Sequence, residues 1–254
     1  MARNFSSDTD RINFGSSVPE LTSAWTVGGW FRRTSSGRAT AITALWSRWT
    51  SSAANRQLYV YLLPATAGAN TDKFQIDVPF VAAILTGSTA VTGTAWHHFA
   101  VKRTGNDWTL YLDGVSDGTA TVVATQETGA ELTFGDTIVT GVGAGDMLGD
   151  QAEIAGWDAA LGVDEVVALS KGIAPLLIRP TSLVFYAPII GRASPEPDIV
   201  AGTTGTLTGT ANAAHTRMAY GGSRRAITTK TVSAAVLRHS RITMPPYPVW
   251  IVNS

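Results

Sequence analysis

The chain of 254 residues contains no cysteine. Disulfides, thiolate nucleophiles, cysteine-ligated zinc and iron–sulfur clusters are thereby excluded, and stability has to come from core packing. Histidine is scarce: there are four, two of them adjacent, which argues against a multi-histidine metal centre. Charge is thin at 15% of residues, and nineteen basic side chains balance nineteen acidic ones. Whole-chain electrostatics therefore offer no drive toward nucleic acid or an acidic membrane. No apolar run approaches the ~18 to 20 residues of a spanning helix. The opening residues, with Arg3, Asn4, Ser6, Ser7, Asp8 and Asp10, lack the apolar stretch of a signal peptide, so a soluble chain without an export signal is expected.

The charge that is present is unevenly spread. Every acidic residue lies at or before Asp198, whereas Arg217, Arg224, Arg225, Lys230, Arg238 and Arg241 follow it. An acidic body with a basic tail is predicted, and such a split marks an interaction arm rather than a second core.

From Ile12 to about Trp157, short β-type runs are separated by Gly, Ser, Thr, Asn and Asp, which predicts a sandwich. The clearest unit runs from Trp96 to about Val123. Phe99 and Val101 alternate with Ala100 and Lys102, and Trp108, Leu110 and Leu112 alternate with Thr109, Tyr111 and Asp113. Period two puts each set on one face. Asp113-Gly114 supplies the positive φ values of a tight hairpin and Gly105-Asn106-Asp107 turns the chain before it, so three antiparallel strands are expected. Weaker runs cover 24–33, 41–49, 57–63, 73–78, 81–86, 131–139 and 151–157.

One helix is predicted after Leu161-Gly162, with Val163, Val166, Val167 and Leu169 on one stripe, Asp164 and Glu165 in the first turn, Lys171 in the last and Gly172 at the stop. Leu183-Val184-Phe185-Tyr186 makes one further strand, and 192–216 reads as loop. Gly221-Gly222-Ser223 is a joint, after which the chain ends in the proline-stiffened apolar run Met244-Pro245-Pro246-Tyr247-Pro248-Val249-Trp250-Ile251-Val252. The expected divisions are a sandwich over 1–176, a returning strand and loop extension packed on it over 177–220, and an arm over 221–254. Two placements of the arm stay open, back over its own sandwich or across to a neighbouring subunit, and the basic, aromatic composition favours the second.

Ile12-Asn13-Phe14, Trp25-Thr26-Val27-Gly28-Gly29-Trp30-Phe31-Arg32, Trp96-His97-His98-Phe99-Ala100-Val101-Lys102-Arg103 and Trp108-Thr109-Leu110-Tyr111-Leu112-Asp113-Gly114 resemble successive strands of the laminin-G-like, concanavalin A-like jelly-roll family. The run from Gln151 through Glu153 and Trp157 to Leu161, leading into Val163-Asp164-Glu165-Val166, is similar to that family's final strand and helix. The resemblance covers about residues 10 to 172. It implies an all-β fold, with two antiparallel sheets of about six or seven strands packed face to face and a concave face open for a ligand or partner. Leu183 to Ile190, Ser194-Pro195-Glu196-Pro197-Asp198 and Gly205-Thr206-Leu207-Thr208-Gly209-Thr210 resemble the extension that follows such domains in proteins of tailed bacteriophages.

The family includes glycosidases, whose retaining members set two carboxyls ~5 to 5.5 Å apart on one strand in a Glu-x-Asp-x-x-Glu pattern. No such triplet occurs: Glu127 and Glu131 are four apart, and Glu153 with Asp158 cannot share a strand face at odd spacing. No catalytic residue and no enzyme activity are therefore expected. His97 and His98, adjacent on a strand, point to opposite faces and cannot share one ion, and neither His215 nor His239 completes a catalytic triad. The resemblance makes calcium the natural ion, with Asp136, Asp146 and Asp150 as candidate ligands. The close Asp-x-Asp-x-Asp-Gly spacing is missing, and no cofactor is expected. Trp25, Trp30, Trp96, Trp108 and Trp157 match strand positions of the family and are assigned to the core. Trp46 and Trp49, beside Arg48 near a loop, are the candidate exposed aromatic site for a glycan. The basic tail has neither a stacking pattern nor a helix stripe, which argues against nucleic acid as its partner.

These readings converge on a non-enzymatic structural protein of a phage virion, assembled in the host cytoplasm. Its leading form is a capsid decoration or cement protein, homo-oligomeric, that binds other virion proteins through its arm. Arg224, Arg225, Arg238 and Arg241 would pair with acidic surface, while Tyr247, Trp250 and Ile251 supply apolar anchors. The alternative is a carbohydrate-binding module of a head or tail fibre, recognising host surface glycans through Trp46, Arg48 and Trp49.

Overall fold

Alternation of apolar and polar residues at period two sorts each strand into a core side and an outward side, and two such strand sets stack. The computed structural model describes residues 2–7, 9–34, 42–49, 56–78, 81–124, 128–136, 147–191, 193–215 and 218–219. The strands up to the helix are β1 (Ala2–Phe5), β2 (Arg11–Gly15), β3 (Ala24–Arg33), β4 (Thr43–Trp49), β5 (Arg56–Leu62), β6 (Lys73–Val78), β7 (Val81–Ala90), β8 (Trp96–Thr104), β9 (Asp107–Leu112), β10 (Val115–Thr121), β11 (Glu131–Phe134) and β12 (Gly149–Trp157). Helix α1 (Val163–Ser170) follows, then β13 (Leu183–Ala187), β14 (Glu196–Pro197), β15 (Thr204–Thr208) and β16 (Ala211–Ala213).

The first sheet runs β10-β9-β8-β3-β12-β1-β16, with β13 also paired to β12, and the second runs β14-β15-β2-β11-β4-β5-β6-β7. Among the described residues each has eight strands, somewhat more than the family resemblance implies, and all their pairings are antiparallel. The surplus comes from segments that sequence alone did not mark as strands. Residues 192–216, expected as loop, contribute β14, β15 and β16, and the polar N-terminus contributes β1 between β12 and β16. These strands are two to five residues long and mostly polar or small in composition, too short to show an apolar alternation that would reveal them.

The core lies between the sheets. Trp25, Val27 and Phe31 of β3, Phe99 and Val101 of β8 and Ile154 of β12 meet Leu45 and Trp46 of β4, Leu58, Val60 and Leu62 of β5 and Phe74 and Ile76 of β6. Gly29 faces this core with no side chain because the Ile154 side chain lies over it; a Cβ there would come 2.3 Å from Ile154 Cδ1. The hairpin at Asp113-Gly114 has φ of 52° and 85°, as the turn residues required.

Helix α1 caps part of the first sheet's outward face. Val166 and Leu169 pack with Ala100, Tyr111, Ala155, Trp157 and Leu161. Its N-terminus is closed by Glu165, which accepts the Gly162 N–H at 2.7 Å and is held in turn by Arg179. Among the described residues no helix is long and apolar enough to cross a membrane.

The chain divides by contacts into a unit Met1–Met218, which holds both sheets, and a unit Ala219–Ser254. Of the second, only Ala219 is described, so Arg224, Arg225, Arg238, Arg241, Tyr247, Trp250 and Ile251 lie outside the described residues.

A buried ion pair ties the late strands to the first one. Arg3 of β1 donates to Glu196 of β14 at 2.7 Å and to the Ala193 carbonyl at 2.5 Å, and the Glu196 side chain is fully enclosed. Removing one partner strands the other charge in low dielectric. Glu196→Ala is expected to destabilise the fold by about 3–5 kcal/mol, read as a lowered midpoint in urea denaturation. An unchanged midpoint would show that the pair contributes nothing.

Candidate functional site

Each strand shows one face to the core and one away from it, so a ligand site made by side chains has two sheet faces to choose from. On the second sheet the outward row passes through Thr206, Asn13, Thr133, Ser47, Tyr59 and Asp77 on six successive strands. Trp49 lies beside this row and stacks on Tyr59 at 5.3 Å between ring centroids, and Tyr59 stacks on Tyr61 at 4.6 Å. The Tyr61 hydroxyl donates to Asp77 at 3.2 Å, and Gln75 donates to both Tyr61 and Asp77. This ladder has the composition of a sugar platform, but Trp49, Tyr59 and Tyr61 are only 1%, 3% and 6% exposed. The hydroxyls of Ser47 and Thr133 are buried beside them without a hydrogen-bond partner among the described residues.

This corrects the expectation for Trp46, Arg48 and Trp49. All three are about 1% exposed, so they do not form an open aromatic site. Odd spacing along β4 sends Trp46 and Arg48 inward and Trp49 outward. Trp46 meets Phe134 and Phe185 in the core. Arg48 donates to the carbonyls of Pro19 and Val18 and pairs with Glu20 at 3.0 Å. Burial draws its guanidinium below the ordinary range, against the pull of Glu20.

The outward face of the first sheet is different. An eight-residue helix spans ~12 Å, and Trp96 lies about 13 Å up the strand from Ala100, where α1 packs. Toward the start of β8 the same face carries Trp96 and, opposite His98, Trp30, and both indoles are half-buried among the described residues. This is a second correction, since both were assigned to the core. In register, Trp30 stands opposite His98 and Arg32 opposite Trp96, which makes the two indoles diagonal neighbours on one face. His215 bridges them edge-on, 4.7 Å from the Trp96 ring and 6.2 Å from Trp30.

Beside the indoles runs a polar row across four strands: Trp96, Arg32, Asp150 and Asn4. Arg32 sits over the Trp96 ring at 5.4 Å and donates through Nε to Asp150 Oδ2 at 2.7 Å and again through Nη2. Asn4 donates to Asp150 Oδ1 at 2.8 Å. Asp150, expected as a calcium ligand, is thus committed to this row. Asp146 lies outside the described residues, and among the described residues no cluster of three carboxylate or imidazole groups forms.

Under this shelf of two indoles lie ionisable groups that are almost wholly buried, Glu153 and His98. A bulge in β12 after Ala152 places Glu153 at φ 56°, on the outward side, where its carboxylate accepts the Tyr186 hydroxyl. His98 is 2% exposed, meets Trp30 edge-on at 5.4 Å, and has no partner for Nδ1 among the described residues. His97 takes the other face against Phe31, as adjacent strand positions require, and its Nδ1 lies 2.7 Å from Asp113 Oδ2. Burial would raise the Asp113 carboxyl, but contacts from His97 and the His98 backbone N–H prevail and hold it below the usual range. At the seam of the two sheets, a cavity of about 250 Å³ is lined by Asp113, Ser116, Asp117, Ser88 and Thr89. Asp117 spans that seam, accepting Ser88 Oγ and Thr89 N–H at 2.9 Å, and so braces β10 to β7.

Burial pushes the His98 imidazole down to about 4 from 6.5, opposed only in part by Asp113. A base with a depressed folded-state value contributes stability that is complete above pH 6.5 and is lost as pH falls toward 4, because the unfolded chain takes the proton first. The loss is on the order of 3 kcal/mol. His98→Gln should flatten stability between pH 7 and 4, measured by urea denaturation at each pH. An identical slope in both proteins would assign the acid sensitivity elsewhere.

A search of curated protein sequences finds no match. A family model described as the concanavalin A-like lectin/glucanases superfamily matches residues 6–167. Among solved structures, a candidate carbohydrate-binding protein from Bacteroides ovatus superposes with a TM-score of 0.65 at 14% identity, covering 86% of this chain and 61% of its own. A heptameric pentraxin from Limulus polyphemus gives 0.52 at 16% identity, over 66% of this chain and 81% of its own. The CBM40 module of a Ruminococcus gnavus sialidase gives 0.51 at 17% identity, over 66% of this chain and 97% of its own. At these identities the likeness is one of fold. The present chain spans about three fifths of the Bacteroides protein.

Proposed function

Because the chain belongs to the concanavalin A-like lectin/glucanase superfamily, we propose that it is a non-enzymatic carbohydrate-binding module and that the glycan rests on the Trp30–Trp96 shelf. The observation that carries this reading is the pair of part-exposed indoles on one sheet face beside a hydrogen-bonded guanidinium, carboxylate and amide. Sugars present apolar C–H faces and a rim of hydroxyls. Indole rings take the first, and fixed polar groups take the second. The Bacteroides and CBM40 structures, named for carbohydrate binding, support the same class of ligand.

They favour this reading over capsid decoration. The phage setting suggested by the resemblance at 183–210 then enters only as the place of action, a virion fibre that recognises host surface glycans.

Purified protein on a glycan array should retain a defined set of sugars. Trp30→Ala and Trp96→Ala should each weaken binding five- to thirtyfold, about 1–2 kcal/mol of lost stacking and burial, with a smaller fall in denaturation midpoint than a core indole variant shows. Trp46→Ala should instead lower the midpoint, by about 3–5 kcal/mol for a truncated core indole. Full retention of binding in both shelf variants would remove the shelf from the site.

A further inference from the structure

A guanidinium has more than one hydrogen-bonding edge, and the shelf uses only one of those that Arg32 offers. Asp150 Oδ2 takes Nε and Nη2 along the side edge, and the other oxygen of Asp150 is held by Asn4. Nη1 has no hydrogen bond among the described residues, and the Arg32 side chain is 34% exposed, against 1% for Asp150. The carboxylate is therefore buried behind a part-exposed guanidinium that lies over the Trp96 ring, and the end edge, Nη1 with the remaining N–H of Nη2, makes no hydrogen bond among the described residues. Asp150 and Asn4 fix the plane of that fork, so little side-chain entropy is lost when a ligand docks. A planar carboxylate is the group that matches two parallel N–H donors. A hydroxyl would fill one of them.

We propose that the ligand of the shelf is an acidic glycan, a sugar whose carboxylate docks end-on on Arg32 while its ring lies against Trp96 and Trp30. This rests on the shelf being the glycan site and adds the charge class of the sugar. The acidic groups near the shelf do not oppose it: Asp150 is paired with Arg32, and Glu153 is buried and bonded to Tyr186.

The test uses the full chain and matched probes that differ only in charge, methyl glucuronate against methyl glucoside and sialyllactose against lactose, measured by calorimetric titration at low and physiological salt. The two acidic probes separate the two sources of a sugar carboxylate, hexuronate and sialate. At least one should bind tenfold or more tightly than its neutral counterpart, with a preference that falls as salt rises. Arg32→Lys, which keeps the charge and loses the fork, should reduce the preference, and Arg32→Gln should abolish it. Because Arg32→Gln leaves the Asp150 carboxylate buried without its cation, the double variant Arg32→Gln/Asp150→Asn supplies the same readout with the buried charge removed. Equal affinity for charged and neutral members of both pairs overturns the inference and leaves the glycan reading standing. A charge preference that survives in the double variant also overturns it. Binding of no sugar on the array or in solution defeats the glycan reading itself.

Discussion

The register of β3 between β8 and β12 is the constraint from which the rest of this molecule follows. One unbroken antiparallel ladder pairs Ala24 through Arg32 with Thr104 through Trp96, so no bulge ever exchanges the two sides of the strand. Trp25, Val27 and Phe31 go to the core, and Trp30 and Arg32 go outward. A slip of one residue would bury the guanidinium and expose Phe31, which is why such a register is held strongly wherever one face is apolar. The bulge that does occur lies in the neighbour, β12, after Ala152. It leaves Asp150 opposite Arg32 while turning Ile154 back into the core.

The two outward faces have different fates because they are covered differently. On the first sheet, a short helix packs over Tyr111 and Trp157, while Trp96 and Trp30 on the same face are only half-buried, so a covered and a part-exposed region share one surface. On the second, the Trp49–Tyr59–Tyr61 ladder is as rich in rings but is enclosed. Ring content alone therefore does not identify a binding surface; exposure decides. The polar row from Asn4 to Arg32 shows the same economy. A carboxylate sealed under the surface is tolerated because two donors satisfy it, and what reaches solvent is an oriented cation.

Much of this was legible from sequence. The alternation at 99–112, the Asp113-Gly114 turn and the helix with Gly172 at its stop each state a local physical preference, and each appears where that preference places it. The strands from Thr204 on were not legible, since Thr-, Gly- and Ala-rich runs of three to five residues pair only because a ready sheet edge lies beside them. The part-exposed indoles were misplaced for a different reason. Trp25 and Trp30 are five apart and Trp46 and Trp49 three apart, and odd separations on a strand put side chains on opposite faces. That parity was available and separates core from outward indoles in both strands. What parity does not give is cover: which outward face stays wet depends on where α1 ends relative to Trp96, a tertiary fact.

The chain's eight tryptophans make the central claim directly observable. Indole N–H resonances can be followed one by one by NMR during titration with a glycan that the protein retains. The account predicts that the Trp30 and Trp96 signals move together and saturate with the binding curve, while those of Trp25, Trp46, Trp108 and Trp157 stay in place. Saturation with Trp30 and Trp96 unmoved, and the shifts confined to other indoles, would contradict it.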